Sequence, residues 1–218
     1  MRWSEERQAV LDASKRMAQL GLVVGSAGNV SARIRADGRD LLAITPNRKR
    51  YGQLTVEEIV VVDFEGEPVE GDLVPSSETL MHACVYKARP EVRAVAHTHS
   101  VYATTLAVAA LPLPPILDEL VTYVGGEVQV AEYGMAGTED LAAKAVAALG
   151  ERNAVLLRNH GMLGVGASPE AALDVCLLVE RAAQVYLLAR GLGQAHRLPE
   201  EAVEVEKAYF RMLHPKEE

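Results

Sequence analysis

The stretch that most constrains this chain is Ala94-Val95-Ala96-His97-Thr98-His99-Ser100. An unbroken run of small and β-branched residues reads as a short buried strand. Side chains alternate between faces along a strand, so His97 and His99 emerge on the same face, one pleat apart. Two neutral imidazoles side by side suit a divalent metal such as zinc, which accepts nitrogen ligands and takes about three from protein at an open site. A His-x-His pair on its own is more often two hydrogen-bonded histidines at a strand end. The metal reading therefore needs a third ligand, an acid or base, and a substrate anchor from elsewhere in the chain.

The totals narrow the classes. A chain of 218 residues, 49% hydrophobic and 24% charged, reads as one α+β domain spanning 1–218 with a substantial core. A net charge of −8 argues against a nucleic-acid partner, because phosphate backbones need a basic face. No apolar run is long enough to span a bilayer, and charges interrupt the N-terminus from Arg2 onward, so neither membrane nor signal peptide is expected. Cys84 and Cys176 both sit in apolar helical patterns and read as reduced core fillers, which suits a cytoplasmic protein.

Helices are expected from Ser4, as N-cap, to Gly21, with Ala9, Ala13, Met17 and Leu20 inward; from Glu78 to about Arg89, with Leu80, Met81, Cys84 and Val85 inward; and from Tyr102 to Ala110. Further helices run from Thr138 to Gly150, from Ser168-Pro169-Glu170 to Arg190, and from Leu198-Pro199-Glu200 onward into a loose Lys216-Glu217-Glu218 tail. In the long Ser168–Arg190 helix, Leu173, Leu177, Leu178, Val185 and Leu188 form the apolar set. Strands are expected at Leu41–Thr45 after an Asp37-Gly38 turn, at Ile59–Phe64 and at Ala154–Leu157. Val121–Val130 reads as extended, broken by Gly125-Gly126.

Three segments supply what the histidine pair lacks. Gly25-Ser26-Ala27-Gly28-Asn29-Val30-Ser31 is a glycine-rich turn entering a strand, where the backbone can approach a ligand and Ser26, Asn29 and Ser31 offer hydrogen bonds. Pro75-Ser76-Ser77-Glu78 opens a helix; the serines serve either as caps or as an anion dock, with Glu78 pointing toward that anion. Arg158-Asn159-His160-Gly161 puts a histidine where a strand gives way to a turn, a place where scaffold rigidity and cleft access coincide.

In order, Gly28-Asn29-Val30-Ser31, Thr45-Pro46, Ser76-Ser77-Glu78, His97-Thr98-His99 and Asn159-His160-Gly161 resemble the class II aldolase/adducin family. The resemblance implies a three-layer α/β/α fold with a mostly antiparallel central sheet, assembled as a homotetramer with active sites between subunits. It implies Zn2+ on His97, His99 and His160, with Glu78 as acid/base that also reaches the metal. Gly28, Asn29, Ser76 and Ser77 would hold a substrate phosphate. The implied reaction cleaves a phosphorylated ketose to dihydroxyacetone phosphate and an aldehyde through an enediolate stabilised by the metal.

Two departures bear on the reaction. Where aldolases of the family carry threonine and glycine after the Thr-Pro pair, this chain has Asn47-Arg48, followed by Lys49-Arg50. Arg48 would grip an anion or crowd it. Where those aldolases send a tyrosine into a neighbouring subunit's site, this chain has Glu119, and a second tyrosine near the C-terminus matches Tyr209. Glu119 is expected to move a proton in trans. A sugar-phosphate 4-epimerase, a decarboxylase, a dehydratase or a non-catalytic adducin-like module are the alternatives on this scaffold.

Overall fold

Among the described residues, eight strands form one sheet in the order β4-β3-β2-β1-β5-β8-β7-β6. They are β1 (Asn29–Ala36), β2 (Arg39–Ile44), β3 (Val60–Asp63), β4 (Pro68–Glu70), β5 (Ala94–Thr98), β6 (Val130–Ala131), β7 (Ala154–Leu157) and β8 (Gly161–Gly166). Every neighbouring pair is antiparallel except β6 with β7. The expected mostly antiparallel sheet is therefore observed. This computed structural model describes residues 1–36 and 38–215, so Asp37 of the expected turn and the Lys216-Glu217-Glu218 tail lie outside the described residues.

Among the described residues, seven α-helices flank the sheet: α1 (Ser4–Gln19), α2 (Thr79–Ala88), α3 (Val101–Val108), α4 (Asp118–Val124), α5 (Glu139–Leu149), α6 (Pro169–Gly191) and α7 (Glu200–Leu213). One core lies between the sheet and α1, α3, α4 and α6, built on Val30, Ala32, Ile34, Met17, Leu106 and Leu173. The other lies under α2 and α5, built on Leu42, Ile44, Val62, Val95, Met81, Leu141 and Leu163. Strand alternation produces both, since Val30, Ala32 and Ile34 share one face of β1 and even-numbered residues of β2 point the opposite way. The long helix α6 comes close to β8 only because Gly164 and Gly166 lack side chains. A Cβ on Gly164 would sit 2.7 Å from Cys176 Sγ, and one on Gly166 would sit 2.6 Å from Ala172 N.

Several expectations hold at their ends. Thr138 caps α5, its hydroxyl accepting from Leu141 N, and Gly150 follows the helix. Ser168 caps α6 in the same way, with proline in the first turn. Others are corrected. The Val121–Val130 stretch is extended only in its second part, where Val128 bridges Leu113 and Val130 begins β6; its first part belongs to α4, which Gly125 stops in the left-handed conformation (φ 96°). Asp118 and Glu119 in the first turn favour a helix start, and burial of Leu120, Val121 and Val124 outweighs the β-branched composition. Ser4 is the first helical residue rather than the cap; Trp3 flanks it with no side-chain bond to the helix. Leu20, Val185 and Leu188 are exposed, and Leu80 and Cys84 only half-buried. In α2 the buried stripe instead includes His82 and Tyr86. Both cysteine thiols are free, as expected.

Candidate active site

The site occupies the seam where β1, β5 and β8 meet at one end of the sheet. His97 sits opposite Asn29 on β1 and Leu163 on β8, so a strand from each side of the seam backs it. His97 Nδ1 lies 2.8 Å from the Met162 carbonyl. A carbonyl only accepts, so Nδ1 donates to it and Nε2 is the nitrogen turned toward His99 and Glu78. His99 lies just past the strand, its backbone N–H donating to Leu22 O, and its Nε2 stands 2.9 Å from His97 Nε2. His160 is held in a turn after β7 by its N–H to Leu157 O, with Asn159 before it in the left-handed region (φ 57°). Gly161 must be glycine there, because a Cβ would fall 2.3 Å from Thr98 O.

The three imidazoles meet edge to face, with centroids 4.7 to 5.0 Å apart, and one nitrogen of each falls within 4.8 Å of the others. Burial pushes His99 down to about 4, and nearby His97 and His160 push the same way. Burial likewise lowers His160, again aided by His97. Both rings are thus neutral at pH 7, the form that binds a metal. Two nitrogens on one tetrahedral zinc lie ~3.3 Å apart; the His97 and His99 nitrogens stand 2.9 Å apart, and the His160 nitrogen falls within 4.8 Å of both. The donor set fits a divalent metal.

Glu78, immediately before α2, reaches into the same place. Its Oε2 lies 3.2 Å from His97 Nε2 and accepts from Asn29 Nδ2 at 2.9 Å; its Oε1 lies 3.4 Å from His160 Nε2. Burial pushes this carboxyl up, but His97, His160 and the Asn29 amide together outweigh it and hold it below its usual range. Among the described residues, Asn29 Oδ1 and Glu78 Oε1 are buried without a hydrogen-bond partner, which suits a ligand-binding role rather than a packing one.

A cleft of about 210 Å³ opens above these groups, lined by Gly28, Asn29, Asn47, Arg48, Ser76, Ser77, Glu78, His99 and His160. The glycine loop, the serines and the Asn47-Arg48 turn therefore converge with the imidazoles, as the motif order implies. The serines do not cap α2 by side chain; Ser76 Oγ accepts from Glu78 N at 3.3 Å and helps fix the approach of that residue. Gly28 has φ 72°, and a Cβ there would stand 2.5 Å from His97 O, so only glycine lets this loop lie on the histidine strand. Arg48 is exposed, in the left-handed region (φ 57°).

Glu119 is not brought to this cleft. It lines a cavity of about 530 Å³ with Tyr123, Asn153, Val165, Gly166 and Val175. Gly166 pairs with Ala94 and Met162 with Thr98, so that cavity lies at the far end of β5 and β8 from the histidines. Within one subunit the two acids cannot meet.

Some contributors were not read from the sequence. The Tyr51 hydroxyl donates to the Gly28 and Ala27 carbonyls and pins the glycine loop from below. The Glu180 carboxylate accepts from Tyr102 N (3.0 Å) and Ala103 N (2.8 Å), holding the start of α3 just after His99. Ser26, Ala27, Pro46 and Ala136 also line the cleft. Only long-range packing brings Tyr51 and Glu180 there. Ser26 and Pro46 belong to motifs already noted, so their place was within reach.

A family model described as Class II Aldolase and Adducin N-terminal domain matches residues 8–187. The chain belongs to this family, and with its aldolase members it is an enzyme of the lyase class. It is 36% identical over 200 residues to a 5-deoxy-D-ribulose 1-phosphate aldolase of Bacillus thuringiensis serovar kurstaki, covering 92% of each chain. It is 38% identical over 178 residues to an L-fuculose phosphate aldolase of Escherichia coli, covering 82% of this chain and 80% of that one. A solved structure of L-fuculose 1-phosphate aldolase superposes with TM-score 0.91 at 36% identity, over 97% of this chain and 98% of the other. No helix among the described residues is long and apolar enough to cross a membrane.

Proposed function

We propose that this chain is a zinc-dependent aldolase that cleaves a phosphorylated ketose, of the L-fuculose 1-phosphate or 5-deoxyribulose 1-phosphate kind, to dihydroxyacetone phosphate and an aldehyde. The observation that carries the reading is the convergence of three imidazoles and one carboxylate on the floor of a cleft with a polar, glycine-lined rim. His97, His99 and His160 hold the ion, and Glu78 is near enough to join them before substrate enters. A bound divalent ion supplies Lewis-acid stabilisation of the negative charge that develops beside the ketose carbonyl. Glu78 moves a proton at the carbon that loses its aldehyde partner, and Asn29 fixes the carboxylate for that task. The Gly28 loop, Asn47, Ser76 and Ser77 hold the phosphate, with the Arg48 guanidinium as its charged partner.

The working unit in this reading is a cytoplasmic homotetramer of one-domain subunits, 1–218. Apolar side chains left exposed at Leu188 and Leu192 near the end of α6, and at Met212 on α7, support association. Glu119, which its own chain keeps away from the cleft, and Tyr209, exposed on α7, then act on a neighbour's cleft. A carboxylate at 119 in place of tyrosine favours one second reading, epimerisation of a sugar phosphate on the same metal. Metal analysis joined to a panel of ketose 1-phosphates tests the proposal. Expected are about one zinc per subunit, its loss in His160→Ala without unfolding, and release of dihydroxyacetone phosphate from a panel member. Full metal in His160→Ala would remove the ligand assignment, and an epimerised sugar with no cleavage would transfer the chain to the second reading.

A further inference from the structure

Strand β1 meets helix α2 through a ladder of polar groups. Asn29, Ser31 and Arg33 lie on one face of the strand, and positions 78, 82 and 86 form one stripe at and beyond the helix start. Asn29 Nδ2 donates to Glu78 Oε2 at 2.9 Å. Ser31 Oγ lies 2.7 Å from both His82 Nδ1 and the Tyr86 hydroxyl. Arg33 Nη1 donates to the Tyr86 carbonyl at 3.1 Å. Two residues of strand advance ~6.6 Å and four of helix ~6 Å, so successive rungs stay in step.

The middle rungs lie deepest. Ser31, His82 and Tyr86 are all 0% exposed. His82 Nε2 has no hydrogen-bond partner among the described residues, so this imidazole is not there to balance its own hydrogen bonds. A pair of aliphatic side chains would fill the same space without that cost. What the polar rungs provide and aliphatic contacts do not is direction. They fix the rotation and height of α2 on β1, because a hydrogen bond tolerates little change in angle or length. The end of the helix that this fixes carries Glu78.

We propose that His82, gripped by Ser31, which Tyr86 holds in turn, is a positioning residue that holds the Glu78 carboxylate between Asn29 and the imidazoles of His97 and His160. This deepens the reading of Glu78 as acid/base and rests on it. The test is kinetics, metal content and thermal melting for Ser31→Ala and Tyr86→Phe, each made alone and with Glu78→Gln. Ångström-scale misplacement of a reacting group costs up to ~10²-fold in rate. Ser31→Ala is therefore expected to lower kcat by about tenfold or more, with KM and bound metal unchanged. In the Glu78→Gln background the same substitution should change kcat by less than about twofold, because the group it positions no longer acts. Tyr86→Phe, which keeps the ring, should show the same pattern more weakly. An equal fall in kcat in both backgrounds, or a lower melting temperature with kcat intact, would overturn the positioning role. If Glu78→Gln alone keeps normal turnover, the acid/base reading itself fails, a result distinct from either of those.

Discussion

The two faces of β1 are buried on opposite terms. Toward α1 and α6 the strand offers Val30, Ala32 and Ile34, all 4% exposed or less, and nothing on that face of the strand needs a partner. Toward α2 the same strand offers Asn29 and Ser31, equally buried but each dependent on a specific hydrogen bond. Apolar burial rewards area and tolerates small shifts, whereas polar burial rewards one geometry and penalises the rest. On β1, apolar packing is therefore concentrated on one face and the chemistry on the other.

The sharpest test lies on the polar side. Glu78→Gln keeps the size and an acceptor for Asn29 but cannot take a proton at neutral pH. Its turnover should fall about 10²–10⁴-fold with metal still bound, read by steady-state kinetics and metal analysis. The counterpart on the apolar side is Leu173→Ala in α6, at a residue that is 0% exposed. Loss of about 2–5 kcal/mol in denaturant unfolding is expected, with kcat per folded molecule and metal content unchanged. A fall in kcat for that variant would break the division between the faces. The smallest effect is expected at the rim, where neither face constrains the side chain. Arg48→Ala should raise KM for a phosphorylated ketose by an amount equivalent to about 1.5–3 kcal/mol and leave kcat alone. An unchanged KM would make Arg48 a surface residue only.

The apolar side and the cluster of three histidines were largely legible in the sequence, for a common reason. Strand parity puts His97 and His99 on one face, and a strand ending in a glycine turn exposes His160; both follow from local geometry. The α2 stripe was misread by a rotation of the helix. Leu80 and Cys84 looked more apolar than His82, and only the presence of Ser31 across the interface makes a buried imidazole affordable. Strand β8 (Gly161–Gly166) was missed because glycine is a poor strand former. Here the glycines answer to α6 and to the Thr98 backbone, neighbours that no local window contains. α4 was misread for the converse reason, since its β-branched residues obey the packing around them rather than their own preference.

The order of strands also has a temporal meaning. β1 to β4 pair each with the next in the chain, so that meander closes over short loops. The seam does not: Asn29 reaches Glu78 across 49 residues and His97 reaches Met162 across 65. Closing longer loops costs more entropy and slows the contacts that depend on them. During synthesis His160 leaves the ribosome well after the meander is complete. Until β8 docks, the chain presents only the His97 and His99 pair, a weaker grip on an ion than three imidazoles. In the proposed reading, capture of metal at full strength therefore waits on the pairing of β8 with β5, which brings the third imidazole to the other two.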